Sequence, residues 1–120
     1  KTDKEKLIDA YKNLGQHEFH LASHLYSQLN SISKTTVVGR DFKSTKRSPT
    51  VSFVHDEFTA NEICEKLGKE NICAWDGHFY ALKSIQALGL ESKGGVTRLG
   101  ISVYNTLEEI NRTVEIISKI

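Results

Sequence analysis

Between Asp3 and Ser33 the apolar residues Leu7, Tyr11, Leu14, Leu21, Leu25, Leu29 and Ile32 recur mostly at steps of three and four. That periodicity predicts one long helix, with Gly15 as the place for a bend. Thr35-Thr36-Val37-Val38 is an all-β-branched run that favours extended backbone, and Gly39 ends it. Thr50 to Val54 alternates as a second strand after Pro49. Thr59-Ala60-Asn61-Glu62 has the pattern of a capping box, and Ala60, Ile63, Cys64 and Leu67 then share one helical face, predicting a helix that ends near Gly68.

Asn71 to Trp75 reads as a buried strand, and Phe79 to Leu88 returns to helical spacing through Leu82, Ile85 and Leu88. Gly89 followed by Leu90 suits a glycine C-cap. After the Lys93-Gly94-Gly95 turn, Val96 to Tyr104 is expected as a strand with two unlike faces. Leu99, Ile101 and Val103 point one way, and Arg98, Gly100, Ser102 and Tyr104 the other. A second capping box, Thr106 to Glu109, opens a last helix whose stripe is Leu107, Ile110, Val114 and Ile117.

The resulting order is helix, strand, strand, helix, strand, helix, strand, helix. It predicts an α+β fold of one domain, a helix over 1–33 leading into a two-layer sandwich over 34–120. The sheet is expected to be small, mainly antiparallel and about four-stranded, with helices on one face.

Composition narrows the function more than the fold. The 120 residues are 38% hydrophobic and 26% charged with a net charge of +1, so no broad basic surface exists for nucleic acid. Apolar runs are only a few residues long, which predicts neither a signal segment nor a membrane span and suggests a cytoplasmic protein. The chain starts at Lys1 and holds no methionine, so a fragment of a longer protein is expected. Cys64 and Cys73 lack CxxC spacing and sit among apolar neighbours, as buried reduced thiols would.

Four groups carry candidate chemistry. Arg98 stands mid-strand on the polar face with Gly100 beside it, leaving room for a ligand carboxylate on a planar guanidinium. On pattern alone the plainer reading is a solvent-facing arginine paired with a helix glutamate. His17, His20 and His24 lie within about 60° of one another on the first helix, but His17-Glu18-Phe19-His20 is too short for HExxH and reads as a polar helix flank, not a metal site. The cationic stretch with Arg40, Lys43, Lys46 and Arg47 reads as a solvated loop, since Phe42 alone is too little aromatic surface for a nucleic-acid platform. Asp76-Gly77-His78-Phe79-Tyr80 joins a strand to a helix, where His78 either serves as acid or base or caps the helix while Phe79 and Tyr80 pack. No Ser/His/Asp or Cys/His arrangement with recognisable context is present.

Ile72 to Ala81, Leu88-Gly89-Leu90, Gly94 to Gly100 and Tyr104-Asn105-Thr106 with Glu109 together resemble the C-terminal small domain of class V aminotransferases of the cysteine desulfurase and selenocysteine lyase type. The resemblance extends more weakly back through Arg47 to Phe53 and the first helix to about His17.

It implies a pyridoxal-phosphate enzyme of fold type I acting on a small amino acid, homodimeric when complete. The Schiff-base lysine of such enzymes lies in a Ser/Thr-x-His-Lys sequence of a preceding large domain, and none occurs here, so no catalytic residue is expected in this chain. By the same resemblance Arg98 binds the substrate α-carboxylate, and His78 and Tyr80 line the entrance. Tyr80 occupies the position of the persulfide-forming cysteine, which leaves aminotransferase, β-lyase or selenocysteine-lyase-like chemistry open. The alternative of a different class is a stand-alone α+β ligand-binding or regulatory module using the same arginine for an anionic metabolite.

Overall fold

Three helices open on the same device. The hydroxyls of Thr2, Thr59 and Thr106 accept the N–H groups of Glu5, Glu62 and Glu109, and each glutamate reaches back to its threonine's own N–H. Two of the orphan donors at each helix start are thereby satisfied. In chain order the computed structural model, which describes residues 1–44 and 46–120, contains α1 (Asp3–Ser31), β1 (Thr35–Val38), β2 (Thr50–His55), α2 (Ala60–Lys69), β3 (Trp75–Gly77), α3 (Leu82–Ala87), β4 (Val96–Gly100) and α4 (Leu107–Ser118). A single 3₁₀ turn, Glu91–Lys93, precedes β4. The α+β expectation holds. Thr45, within the expected Arg40–Ser48 loop, lies outside the described residues.

The four strands form one antiparallel sheet in the order β1-β2-β4-β3. Register places Val51 opposite Leu99 and Phe53 opposite Thr97, so these four side chains share a face. That face is closed. Val51, Phe53 and Leu99 join Leu21, Leu25 and Leu29 of α1, Ile63 and Leu67 of α2, and Ile110 and Ile117 of α4 in one buried cluster. Each such side chain contributes about 1.5–3 kcal/mol by leaving water. The buried Thr97 hydroxyl is satisfied by donating to the Ala60 carbonyl at 3.3 Å.

Two histidines tie α1 to α4. His17 Nε2 donates to the Asn105 carbonyl at 2.9 Å, and His24 Nε2 meets Asn111 Oδ1 at 2.8 Å. α1 runs unbroken through Gly15, but only its second half is buried, and Leu7, Ile8, Tyr11 and Leu14 stay exposed. Phe42 of the basic loop is a core residue at 3% exposure, edge-on to Phe19 and Tyr26 with centroids 5.9 Å away in each case. Among the described residues no helix is long and apolar enough to cross a membrane.

Three boundaries differ from the sequence reading. The strand expected over Asn71 to Trp75 begins only at Trp75, because Asn71 turns into a left-handed conformation (φ 58°) and Ile72 donates back to Leu67 at 3.0 Å, holding this stretch to the end of α2. The helix expected from Phe79 starts at Leu82, since Phe79 and Tyr80 are left-handed at φ 50° and 61°. It ends as expected, with Gly89 donating to Gln86 and Leu90 to Ile85, a Schellman closure. The last strand stops at Gly100. Beyond it Asn105 draws the chain into a turn, accepting the Ser102 N–H at 2.8 Å and donating to Ser102 and Glu109 at 3.0 Å, so Val103 is exposed.

Candidate functional site

The other face of the sheet is open. Register aligns Val38, Ser52, Arg98 and Trp75 in one row across all four strands, and Gly100 follows on the same side of β4. Arg98 and Gly100 are exposed, and Trp75 is 71% exposed. No ion pair or hydrogen bond engages the Arg98 side chain among the described residues. The helix-glutamate partner considered for it is not there. Its guanidinium instead lies over the Phe79 ring, with Cζ 3.7 Å from the centroid.

The loop that carries Phe79 is unusual backbone. Gly77 (φ 125°) is followed by His78 and then by the two left-handed residues Phe79 and Tyr80, a conformation that is uncommon for bulky side chains. Three contacts hold it. His78 Nδ1 accepts the Tyr80 N–H at 3.0 Å, the Ala81 N–H donates to the His78 carbonyl at 2.7 Å, and buried Gly95 (φ 90°) packs directly on the Gly77–His78 peptide. A Cβ on Gly95 would sit 3.0 Å from the His78 nitrogen and collide with the Gly77 carbonyl. Glycine at 95 is therefore required.

His78, Tyr80 and Arg98 thus come from one corner of the sheet, where β3 hands over to the loop beside β4. With Nδ1 accepting, the neutral His78 imidazole carries its proton on Nε2. The ring caps a turn, not α3, which starts without any side-chain cap. Tyr80 is fully exposed, its ring edge-on to His78 at 6.2 Å between centroids. Phe79 and Trp75 were not singled out from sequence as ligand-facing residues. The signal for Trp75 was its spacing, since Trp75 and Gly77 alternate with Asp76 exactly as a paired strand requires once Arg98 is known to face outward.

The two thiols have different surroundings. Burial, with the Asp76 carboxylate beside it, pushes the Cys64 thiol up to about 11, which disfavours the nucleophilic thiolate. Cys73 is exposed, contrary to expectation, because residues 71–74 leave α2 without joining the sheet, and Ile72 and Ala74 take the inward positions. It lines a cleft of about 370 Å³ between β4 and α4, together with Leu99, Ile101, Ile110 and Asn105. Arg98, His78 and Tyr80 are not among the walls of that cleft.

Two other candidates take structural roles. Arg47 stacks on Phe42 at 4.5 Å and donates to the carbonyls of Thr50 (2.7 Å) and Arg40. His17 binds Asn105 in the turn before α4 and His24 binds Asn111 within α4, and among the described residues no three His, Cys, Asp or Glu side chains gather as a metal set.

Residues 8–113 match the family Aminotransferase class-V. An aminotransferase-like protein of Gibberella zeae is 28% identical over 104 residues, covering 84% of this chain and 26% of its own length. A probable cysteine desulfurase of Mycobacterium leprae is 29% identical over 103 residues, covering 86% of this chain and 24% of its own. The apo structure of a cysteine desulfurase from Thermococcus onnurineus superposes with a TM-score of 0.81 at 23% identity, over 95% of this chain and 28% of that one. The chain spans about a quarter of the length of the curated relatives it matches.

A family of this kind implies pyridoxal phosphate, and the residues present can be tested as a seat for it. A lysine that anchors the cofactor needs a desolvated amine. No lysine among the described residues is buried. The two half-buried ones are engaged, Lys66 over the Phe58 ring at 4.3 Å and Lys93 on the Asp56 carbonyl at 2.6 Å. These residues do not fit as the anchor.

Proposed function

Because the chain belongs to the class-V aminotransferase family, we propose that it is the domain of a cysteine desulfurase-like pyridoxal-phosphate enzyme that receives a small amino acid by its α-carboxylate. The observation that carries this reading is the unengaged guanidinium of Arg98, exposed beside Gly100 on the open sheet face. A guanidinium presents two parallel N–H donors that match a carboxylate, and each charged hydrogen bond contributes about 1.5–3 kcal/mol when water is partly excluded. Holding the carboxylate fixes the orientation of the substrate's Cα bonds, which is a contribution of positioning.

His78 and Tyr80 line the entrance in this reading, and the loop over Gly77–Tyr80 excludes water when the face closes on its partner domain. The cofactor supplies the electron sink, and its anchoring lysine comes from outside these 120 residues. The complete enzyme is a homodimer in the same reading. Tyr80 at the cysteine position removes a persulfide-forming sulfur from the loop, so the reading extends to transamination, β-elimination or selenocysteine-lyase-like cleavage and not to cysteine-mediated sulfur transfer.

The test uses the cofactor-loaded polypeptide that contains this chain. Its absorbance should shift on adding L-amino acids, and Arg98→Ala should weaken that response by at least about tenfold. An unchanged response in Arg98→Ala removes the arginine from the site. The 120 residues alone should bind added pyridoxal phosphate no better than an unrelated protein with exposed lysines. Stoichiometric tight binding by them contradicts the assignment of the anchor, and anion binding without any chromophore response favours a stand-alone ligand-binding module.

A further inference from the structure

We propose that Phe79 is a positioning residue that holds the Arg98 guanidinium ready for a carboxylate, an inference that rests on the reading of Arg98 as the carboxylate clamp. An arginine on an open sheet face has rotamer freedom to lose when it binds. Any contact that orders the side chain beforehand strengthens binding, provided it leaves the N–H donors free. An ion pair orders a guanidinium but consumes those donors. A ring under the guanidinium plane orders it from its π face, while all five N–H bonds point outward in the plane. The Phe79 ring, 3.7 Å from Arg98 Cζ, is such a contact, and no ion pair or hydrogen bond competes for the donors among the described residues.

The same molecule contains the opposite case. Arg47 also lies on a ring, that of Phe42, but its N–H groups are bonded to the Thr50 and Arg40 carbonyls. There the stack and the donors serve one purpose, to fasten a loop over a buried phenylalanine. At Arg98 the stack is made and the donors are unspent among the described residues, so the ordering fastens no part of the fold described.

Phe79 itself reaches the arginine only through strained backbone. Left-handed φ values at both Phe79 and Tyr80 are costly for residues other than glycine. Gly95 against Gly77, and the His78 hydrogen bonds to Tyr80 and Ala81, hold that conformation in place. Had the helix begun at Phe79, as its periodicity suggests, the ring would follow the helix surface and leave the arginine unsupported. Strain that is retained at one loop, aiming one ring at one free cation, is the pattern of a preorganised binding group.

The experiment compares Phe79→Leu, Phe79→Tyr and Arg98→Ala, singly and as the Phe79→Leu/Arg98→Ala pair, in the cofactor-loaded polypeptide. Binding of L-amino acids should weaken roughly 3- to 30-fold in Phe79→Leu, through KM with kcat retained, and return in Phe79→Tyr. In the Arg98→Ala background Phe79→Leu should have no further effect on binding. An independent readout is the NMR shift of the Arg98 side-chain protons, which ring current displaces in the parent and in Phe79→Tyr but not in Phe79→Leu.

Unchanged affinity in Phe79→Leu while Arg98→Ala weakens binding overturns the positioning role and leaves the clamp standing. A ring-current shift that is present in the parent and lost in Phe79→Leu, together with unchanged affinity in Arg98→Ala, means that the stack exists but serves no carboxylate, which overturns the clamp. Equal losses from Phe79→Leu in both backgrounds show that the ring acts through folding and overturn the proposal.

Discussion

The two faces of the sheet obey different rules although the same strands build both. On the covered face Val51, Phe53, Thr97 and Leu99 are buried beneath three helices, and the hydroxyls of Thr97 and Thr35 there both have carbonyl acceptors. On the open face Arg98 keeps its donors unspent, Trp75 stands mostly in solvent, and the adjoining loop holds two residues in left-handed strain. Apart from His55 Nε2, the buried polar side-chain atoms of the covered face have partners among the described residues. The open face retains interactions to make, as the proposed carboxylate site requires and a core does not.

Mutations should separate the two faces by what they disturb. The largest stability loss is expected on the covered face, where Phe53→Ala should cost about 3–5 kcal/mol by creating a cavity. Urea unfolding measures it, and a loss below about 1 kcal/mol would mean the core is not shared by the helices as described. Gly95→Ala lies at the junction of the two faces. It should cost about 3 kcal/mol, from positive-φ strain and the displaced Gly77 peptide. It should also abolish the ring-current shift on Arg98, which Phe53→Ala at a permissive temperature should not.

His55 offers a smaller and pH-dependent comparison. It is buried on the covered side at 2% exposure, its Nε2 has no partner among the described residues, and burial lowers its pKa from the ordinary value of 6.5. Glu57 and Asp56 oppose that shift, and Lys34 and Lys93 reinforce it. The folded state therefore binds fewer protons than the unfolded one. Stability should be complete above about pH 6.5 and fall as the pH drops through the lower, folded-state value. Denaturation midpoints between pH 7 and 5 in the parent and in His55→Gln check this, and equal slopes would refute it. The smallest effect is expected for Arg98→Ala, which should change stability by no more than about 0.5 kcal/mol. A larger loss would show that the open face has a structural task after all.

Much of the covered face was legible from the sequence. The capping boxes at Thr59 and Thr106, the three- and four-residue apolar steps of α1, and the alternation in β2 each have a local cause, and each element formed where that cause lies. The open face was legible only in part. The two-residue period placed Arg98 and Gly100 outward, but whether a glutamate met the arginine depended on where distant helices packed. The Phe79-Tyr80 stretch misled because Leu82, Ile85 and Leu88 have helical spacing, while only Ile85 is buried and the turn ahead of it is fixed by Gly95, a residue far along the chain. Cys73 misled for a related reason. The apolar run Asn71 to Trp75 reads as a buried strand, and the left-handed Asn71 keeps Cys73 out of the sheet.

The contact of Gly95 with the Gly77–His78 peptide also ties the loop to a residue far along the chain. Residues 77 and 95 meet only when the segment between them has closed into a loop and β3 has paired with β4, a step that carries a chain-entropy cost of its own. Before that step the local hydrogen bonds of His78 to Tyr80 and Ala81 stand without the Gly95 contact, so the loop that carries the Phe79 ring lacks the long-range support that Gly95 gives. The aromatic support of Arg98 is thereby coupled to the pairing of the edge strand: when β3 frays from β4, the Gly95 contact that holds the loop is lost with it.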